Sequence, residues 1–256
     1  MEKLLDEIES YWSTRTEGYS EVNHKELAGT QKNAWLKVLT SQFPDKPKEE
    51  IRILDIGTGP GFFPVILAEA GYHVDAVDYT EGMLEKAKEN AGELCRNIRF
   101  QRMDAQKLEF EDNTFDVVIS RNLTWNLEHP DVAYREWVRV LKVGGRLLNF
   151  DANWYGYLYE EEQRKAYEND RKNVENNSLD DHYLCTDIER MERIALQVPL
   201  SKISRPQWDV KTLREAGLLG IRTDTEIWKT VWSEEERLNY QSTPMFMVTG
   251  VKPDHF

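Results

Sequence analysis

Hydrophobic positions change their period twice along the chain. Over the first forty-eight residues, Leu4, Leu5 and Ile8, and then Leu27, Ala28, Trp35, Leu36 and Leu39, fall at helical spacing. The aromatic stretch 11–20 between them reads as irregular, and Pro44 and Pro47 mark a loop. From Ile51 short strand-like runs take over, at 51–56, 72–77, 98–103, 115–120 and 146–150. Such runs suit strands buried on both faces of a parallel sheet. Helical patterns separate them: one through Ala70 closed by Gly71, one after Thr80 as N-cap, and one opened by His129-Pro130-Asp131. Strands alternating with helices at this spacing predict βαβ units.

The alternation stops after Asp151. Residues 153–205 are polar, helix-prone and rich in tyrosine and tryptophan. A helix over 208–216 follows Pro206, and strand-like runs at 221–232 and 245–252 close the chain. Because the sheet pattern resumes, the middle stretch reads as an insertion. The expected organisation is an α/β core over 49–152 and 206–256, a helical segment over 1–48, and a helical cap over 153–205 inserted after the fifth strand.

Composition narrows the partners. A chain of 256 residues suits one large domain with an insertion. Its 33 basic and 46 acidic side chains give a net charge of −13, which repels nucleic-acid phosphate. Two cysteines ninety positions apart, Cys95 and Cys185, make neither a disulfide framework nor a metal site. The first residues lack a signal-peptide pattern and no apolar run is long enough for a membrane span, so a cytoplasmic protein is expected.

The most informative segment is Asp55-Ile56-Gly57-Thr58-Gly59-Pro60-Gly61, between a strand and a helix. No Lys-Ser or Lys-Thr follows, which excludes a P-loop. A dinucleotide fingerprint needs glycine at position 62, which is Phe62. Pro60 also removes an N–H that a pyrophosphate would want, so the loop suits a ligand without phosphate. Ligands of open α/β sheets bind beyond the carboxyl ends of the strands. Asp78 ends the second strand, where a carboxylate can accept ribose hydroxyls. Asp104 ends the third, where one can accept an adenine amine. Together they describe an adenosine site.

Five segments in order, 54–61, 76–84, 103–105, 115–121 and 139–145, resemble the class I methyltransferases that use S-adenosylmethionine. Val143 departs from the family pattern, which has proline there. The resemblance implies a Rossmann-like, seven-stranded, mostly parallel sheet with helices on both faces and an antiparallel last strand. It also implies that Asp55, Gly57, Thr58, Gly59 and Gly61 hold the methionine part of the cofactor. Asp78 would hold the ribose, Asp104 and Ala105 the adenine, and the backbone near Ser120 and Arg121 would meet the amino group, with Tyr79 and Met83 as further cofactor-binding candidates. Tyr19 is similar to the lid tyrosine of small-molecule members.

The cofactor carries an activated methyl, so the protein chiefly has to align an acceptor and exclude water. No single catalytic side chain is assigned from the sequence. Asn122, Trp125, Asp151, Asn153 and Tyr155 are the candidate lining of a small-molecule pocket closed by the insertion. Neither an Asn/Asp-Pro-Pro-Tyr motif nor a Pro-Cys dipeptide occurs. His129 is the one histidine near a candidate loop. A protein or RNA methyltransferase, or a non-catalytic cofactor-binding module, are the alternatives.

Overall fold

The computed structural model describes residues 4–183 and 186–254; Cys185 and His255 fall outside them. Helix α1 (Leu4–Ala28) and helix α2 (Gln31–Thr40) precede the core. Strand β1 (Arg52–Ile56), helix α3 (Phe62–Glu69), strand β2 (His73–Asp78), helix α4 (Glu81–Ala91) and strand β3 (Ile98–Arg102) form the first half of the sheet. Strand β4 (Phe115–Arg121), helix α5 (Pro130–Val140) and strand β5 (Leu141–Asp151) begin the second. Helices α6 (Glu161–Asn176) and α7 (Ile188–Ala195) make the insertion. The chain then returns through helix α8 (Gln207–Glu215), strand β6 (Leu219–Asp224), short helices α9 (Trp228–Val231) and α10 (Glu234–Asn239), and strand β7 (Phe246–Val251).

The seven strands run in the order β3-β2-β1-β4-β5-β7-β6, with β7 antiparallel to both neighbours. Strand order reverses between β1 and β4, so a crevice opens beyond their carboxyl ends. Both sheet faces are covered, as a mostly parallel sheet requires. Tyr134, Trp137, Val140 and Leu213 pack one face, while Trp35, Phe62, Phe63 and Trp232 pack the other. A third cluster, with Ile8, Tyr11, Trp125, Tyr155, Tyr183 and Met191, joins α1 to the insertion and lies above the crevice.

Three local expectations are corrected. The aromatic stretch 11–20 is an unbroken part of α1. Tyr11, Trp12 and Tyr19 stack edge to face along it, and the contacts its rings make with the crevice outweigh their modest helix propensity. The run 221–232 is a strand only to Asp224, whose Oδ1 accepts the Glu226 N–H at 2.8 Å and turns the chain. Strand β5 starts at Leu141, not 146, and passes its two glycines through a register shift against β4. Thr80 does occupy an N-cap position, but its side chain makes no capping bond. Val143 is half exposed near the start of β5.

Candidate active site

The loop after β1 owes its shape to its glycines. Gly57 and Gly61 have φ of 70° and 90°, where a Cβ is strained. A Cβ on Gly57 would stand 2.7 Å from Leu123 Cδ2, and one on Gly61 3.0 Å from the Ala87 Cβ. Gly61 therefore serves the packing of α3 on α4 and does not line the crevice. The Gly57 and Thr58 N–H groups both donate to the Val77 carbonyl, and the Gly59 N–H donates to Asp78 Oδ2 at 2.9 Å. This loop spends its N–H groups on β2, which agrees with a ligand lacking phosphate.

Asp78 Oδ1 accepts the Thr80 N–H at 2.9 Å. Each carboxylate oxygen thus takes one backbone bond and keeps a lone pair facing the crevice, the arrangement needed for two vicinal hydroxyls. Burial pushes its pKa up, while the Thr80 and Gly59 N–H groups hold it down in part. Asp104 Oδ1 accepts both Gln106 nitrogens, leaving Oδ2 available, and the adjacent Ala105 N–H has no partner among the described residues. An acceptor beside a donor matches the edge of an adenine ring. Tyr79, Met83, Asp78, Asp104 and Ala105 line one cleft, which Tyr19, Gly57, Gly59 and Arg121 close at its inner end.

A second hollow continues from this cleft along the loop, lined by Asp55, Gly57, Thr58, Gly59, Asn23 and Arg121. Burial raises the Asp55 pKa to about 7, against the pull of the Thr58 hydroxyl and Arg121. Arg121 is itself committed: Glu26 on α1 accepts from Nη1 at 2.7 Å and from Nη2 at 3.0 Å. Its guanidinium also lies 4.8 Å from the Phe62 ring centroid and 5.1 Å from that of Phe63. Its side chain thus ties α1 down over the crevice, where the resemblance placed the backbone near the cofactor. Ser120, fully buried, donates to the Ile56 carbonyl at 2.9 Å and joins β4 to β1 without reaching the hollow.

The third space is a cavity of about 560 Å³ between α1 and the insertion. Trp125, Trp154, Tyr155, Tyr183, Trp232 and Tyr240 line it, together with charged side chains that include Glu26, Arg121 and Glu236. Tyr19 and Arg121 line all three spaces, and Asn122 lines the cleft and the cavity. Asn122 adopts φ 57°, a left-handed conformation asparagine tolerates, and its carbonyl accepts from Trp125 Nε1 at 3.0 Å.

The structure brings Asn122, Trp125 and Tyr155 to this cavity but not Asp151 or Asn153. Asp151 is fully buried against Arg205 at 2.6 Å, and Asn153 exchanges hydrogen bonds with the Arg205 backbone. Asp151 acts one layer out: its oxygens accept the Trp125 N–H and Trp154 Nε1, fixing two walls. His129 is exposed, with Nε2 3.8 Å from Glu128, and lines none of the three spaces. Cys95 is remote and donates weakly to the Lys88 carbonyl. The sequence reading missed His182, Glu235 and Tyr240, which meet beside the cavity. Among the described residues, no acidic, histidine or cysteine cluster could hold a metal, and no helix is long and apolar enough to cross a membrane.

Residues 54–149 match the methyltransferase domain family. A demethylmenaquinone methyltransferase of Clavibacter sepedonicus is 40% identical over 97 residues, which is 38% of this chain and 39% of the relative. The chain matches well under two thirds of the length of the curated relatives it resembles. A phosphoethanolamine N-methyltransferase 2 of Haemonchus contortus, solved with S-adenosyl-L-methionine, superposes with a TM-score of 0.63 at 19% identity, covering 87% of this chain and 53% of that one. The YcgJ protein of Bacillus subtilis gives a TM-score of 0.54 at 21% identity, covering 86% and 98%.

Proposed function

We propose that this chain, whose residues 54–149 match the methyltransferase domain family, is a class I methyltransferase that transfers a methyl group from S-adenosylmethionine to a small-molecule acceptor. The observation that carries the reading is the meeting of three spaces at Tyr19 and Arg121. A nucleoside held by Asp78 and Asp104 and an amino-acid tail beside Asp55 would leave the sulfur where the aromatic cavity begins. The residues fit such a ligand: Asn23 Oδ1 in the loop hollow and Asn126 Oδ1 in the cleft are buried without a hydrogen-bond partner among the described residues. When bound, the cofactor supplies an electrophilic methyl on a sulfonium.

The chain's own work is alignment and exclusion of water. Tyr19 and the Glu26–Arg121 pair hold α1 across the crevice, and the aromatic wall presents a largely apolar acceptor space. The relatives named for quinone and phosphoethanolamine acceptors support a small molecule as substrate. The net charge of −13 argues against a nucleic acid. Residues 1–48 and 153–205 act in this reading as lid and cap.

Calorimetry with S-adenosylhomocysteine, followed by mass spectrometry of turnover on a panel of small acceptors, tests it. Binding and product formation are expected. Binding without product on any acceptor would instead indicate a cofactor-binding module, and tight salt-sensitive RNA binding a macromolecular substrate.

The pH dependence of cofactor binding follows from Asp55. Its folded pKa of about 7 is raised by burial, so in the unliganded protein it stabilises below the unfolded carboxylate range and loses that contribution as pH rises through 7. A ligand ammonium favours the ionised form. S-adenosylhomocysteine affinity should therefore rise about tenfold from pH 6 to pH 8, and Asp55→Asn should flatten the profile. An unchanged slope in the variant would remove Asp55 from the ligand's tail.

A further inference from the structure

His182, in the insertion, faces two partners of opposite kind. Its Nε2 lies 3.0 Å from Glu235 Oε1, and its Nδ1 lies 3.0 Å from the Tyr240 hydroxyl. An ionised carboxylate only accepts, so Nε2 carries the hydrogen and Nδ1 accepts from Tyr240. The arrangement is built rather than incidental. Asn239, almost fully buried, accepts the His182 N–H at 3.0 Å and donates to the Asp180 and Glu235 carbonyls. That side chain locks the insertion to α10 and sets His182 against Tyr240. The Tyr240 ring stacks edge to face on Trp154 at 5.3 Å, and both line the acceptor cavity.

The cavity wall carries charges as well as rings. Glu26 is paired with Arg121, Asp181 with Arg171, and Glu236 accepts from the Ser233 N–H and Gln31 Nε2. Glu26 and Asp181 are thus held by cations, Glu236 takes neutral donors, and Glu21 and Asp180 line the same cavity. A flat, uncharged ring suits the aromatic wall. A hydroxyl on that ring would arrive protonated and would need a base.

We propose that Tyr240, His182 and Glu235 form a proton relay on the cavity wall, and that the acceptor is a hydroxylated aromatic compound; this deepens the methyl-transfer reading and rests on it. The acceptor hydroxyl gives its proton to Tyr240 Oη as Tyr240 passes its own proton to His182 Nδ1. The freed electron pair on the acceptor oxygen forms the O–C bond while the C–S pair returns to sulfur. Glu235 stabilises the resulting imidazolium, which then releases the proton to water. Its side chain is 37% exposed, so the relay ends at solvent. Burial keeps the Tyr240 pKa well above that of free tyrosine, which suits a group that passes protons and does not hold the charge. Tyr240 is the catalytic residue here and Glu235 a positioning residue.

The probe is 4-nitrophenol, added to protein saturated with S-adenosylhomocysteine about one pH unit below the probe's own pKa. Its phenolate absorption band reads ionisation, and quenching of the cavity tryptophans reads binding. The native protein should bind the probe and raise its ionised fraction several-fold. Tyr240→Phe and His182→Gln should bind comparably and lose about tenfold in the ionisation ratio, with a smaller loss for Glu235→Gln, whose half-exposed site spares the fold. A bound probe that stays neutral, equal ionisation in all variants, or no binding of the probe would overturn the relay. Methylated product from the acceptor panel separates this from failure of the methyl-transfer reading, which would leave no product on any acceptor.

Discussion

Asp78→Ala is expected to weaken S-adenosylhomocysteine binding about a hundredfold, close to 3 kcal/mol, in a calorimetric titration. The size follows from what one carboxylate does. Oδ2 accepts from the Gly59 N–H and Oδ1 from the Thr80 N–H, both at 2.9 Å, and the remaining lone pairs face the cleft. Removing the side chain deletes the charge-assisted bonds to a ribose and also releases the loop that presents the methionine end. Asp78→Asn separates these effects. Its single carbonyl oxygen can keep one backbone bond and cannot accept from two hydroxyls while doing so. An intermediate loss is therefore expected. A change of less than about threefold in both variants would place the nucleoside elsewhere.

The parts of this site legible in the sequence are those fixed by local order. Asp78 and Asp104 stand where strands end, and strand ends are readable from short apolar runs bounded by polar residues. The glycine loop is readable because Gly57 and Gly61 meet backbone demands set within a few residues. Sheet order and the antiparallel β7 came through resemblance to a family, not through periodicity. The illegible parts depend on contacts between distant residues. Nothing near Asp151 signals that its partner is Arg205, and Tyr240 stands fifty-eight positions from the histidine it bonds. The stretch 11–20 reads as irregular because single-residue preferences ignore the crevice against which its rings pack. The run 221–232 is apolar enough for a strand, yet Trp232 is buried by the face of the sheet and not within it.

The misread Asp151 leads to the larger expected effect on stability. Arg205 is fully enclosed, with Nη1 donating to Asp151 Oδ2 at 2.6 Å and Nε and Nη2 donating to Asp209. Tyr134 donates to Asp209, Asn149 donates to Tyr134, and the Thr124 hydroxyl donates to Asn149, so the buried chain of polar groups is closed on every side. Arg205→Ala leaves two carboxylates in the interior without their cation. The expected cost is about 3–5 kcal/mol, seen as a fall of about 10 °C in the melting temperature. Burial already raises the Asp151 pKa against the opposing pull of Arg205, and loss of the arginine raises it further. A raised folded pKa contributes stability at low pH that is lost as pH rises. The deficit should therefore be smaller at pH 5 than at pH 8, where the buried anion must stay charged. Combining Arg205→Met with Asp151→Asn and Asp209→Asn should recover most of the loss, because no uncompensated charge then remains. Because Asp151 holds the Trp125 N–H and Trp154 Nε1, Arg205→Ala should also loosen the acceptor wall. Probe affinity should fall in that variant while S-adenosylhomocysteine affinity, set on the far side of Tyr19, stays within about threefold. Equal losses of both ligands would mean that the cluster supports the whole crevice and not the cavity alone.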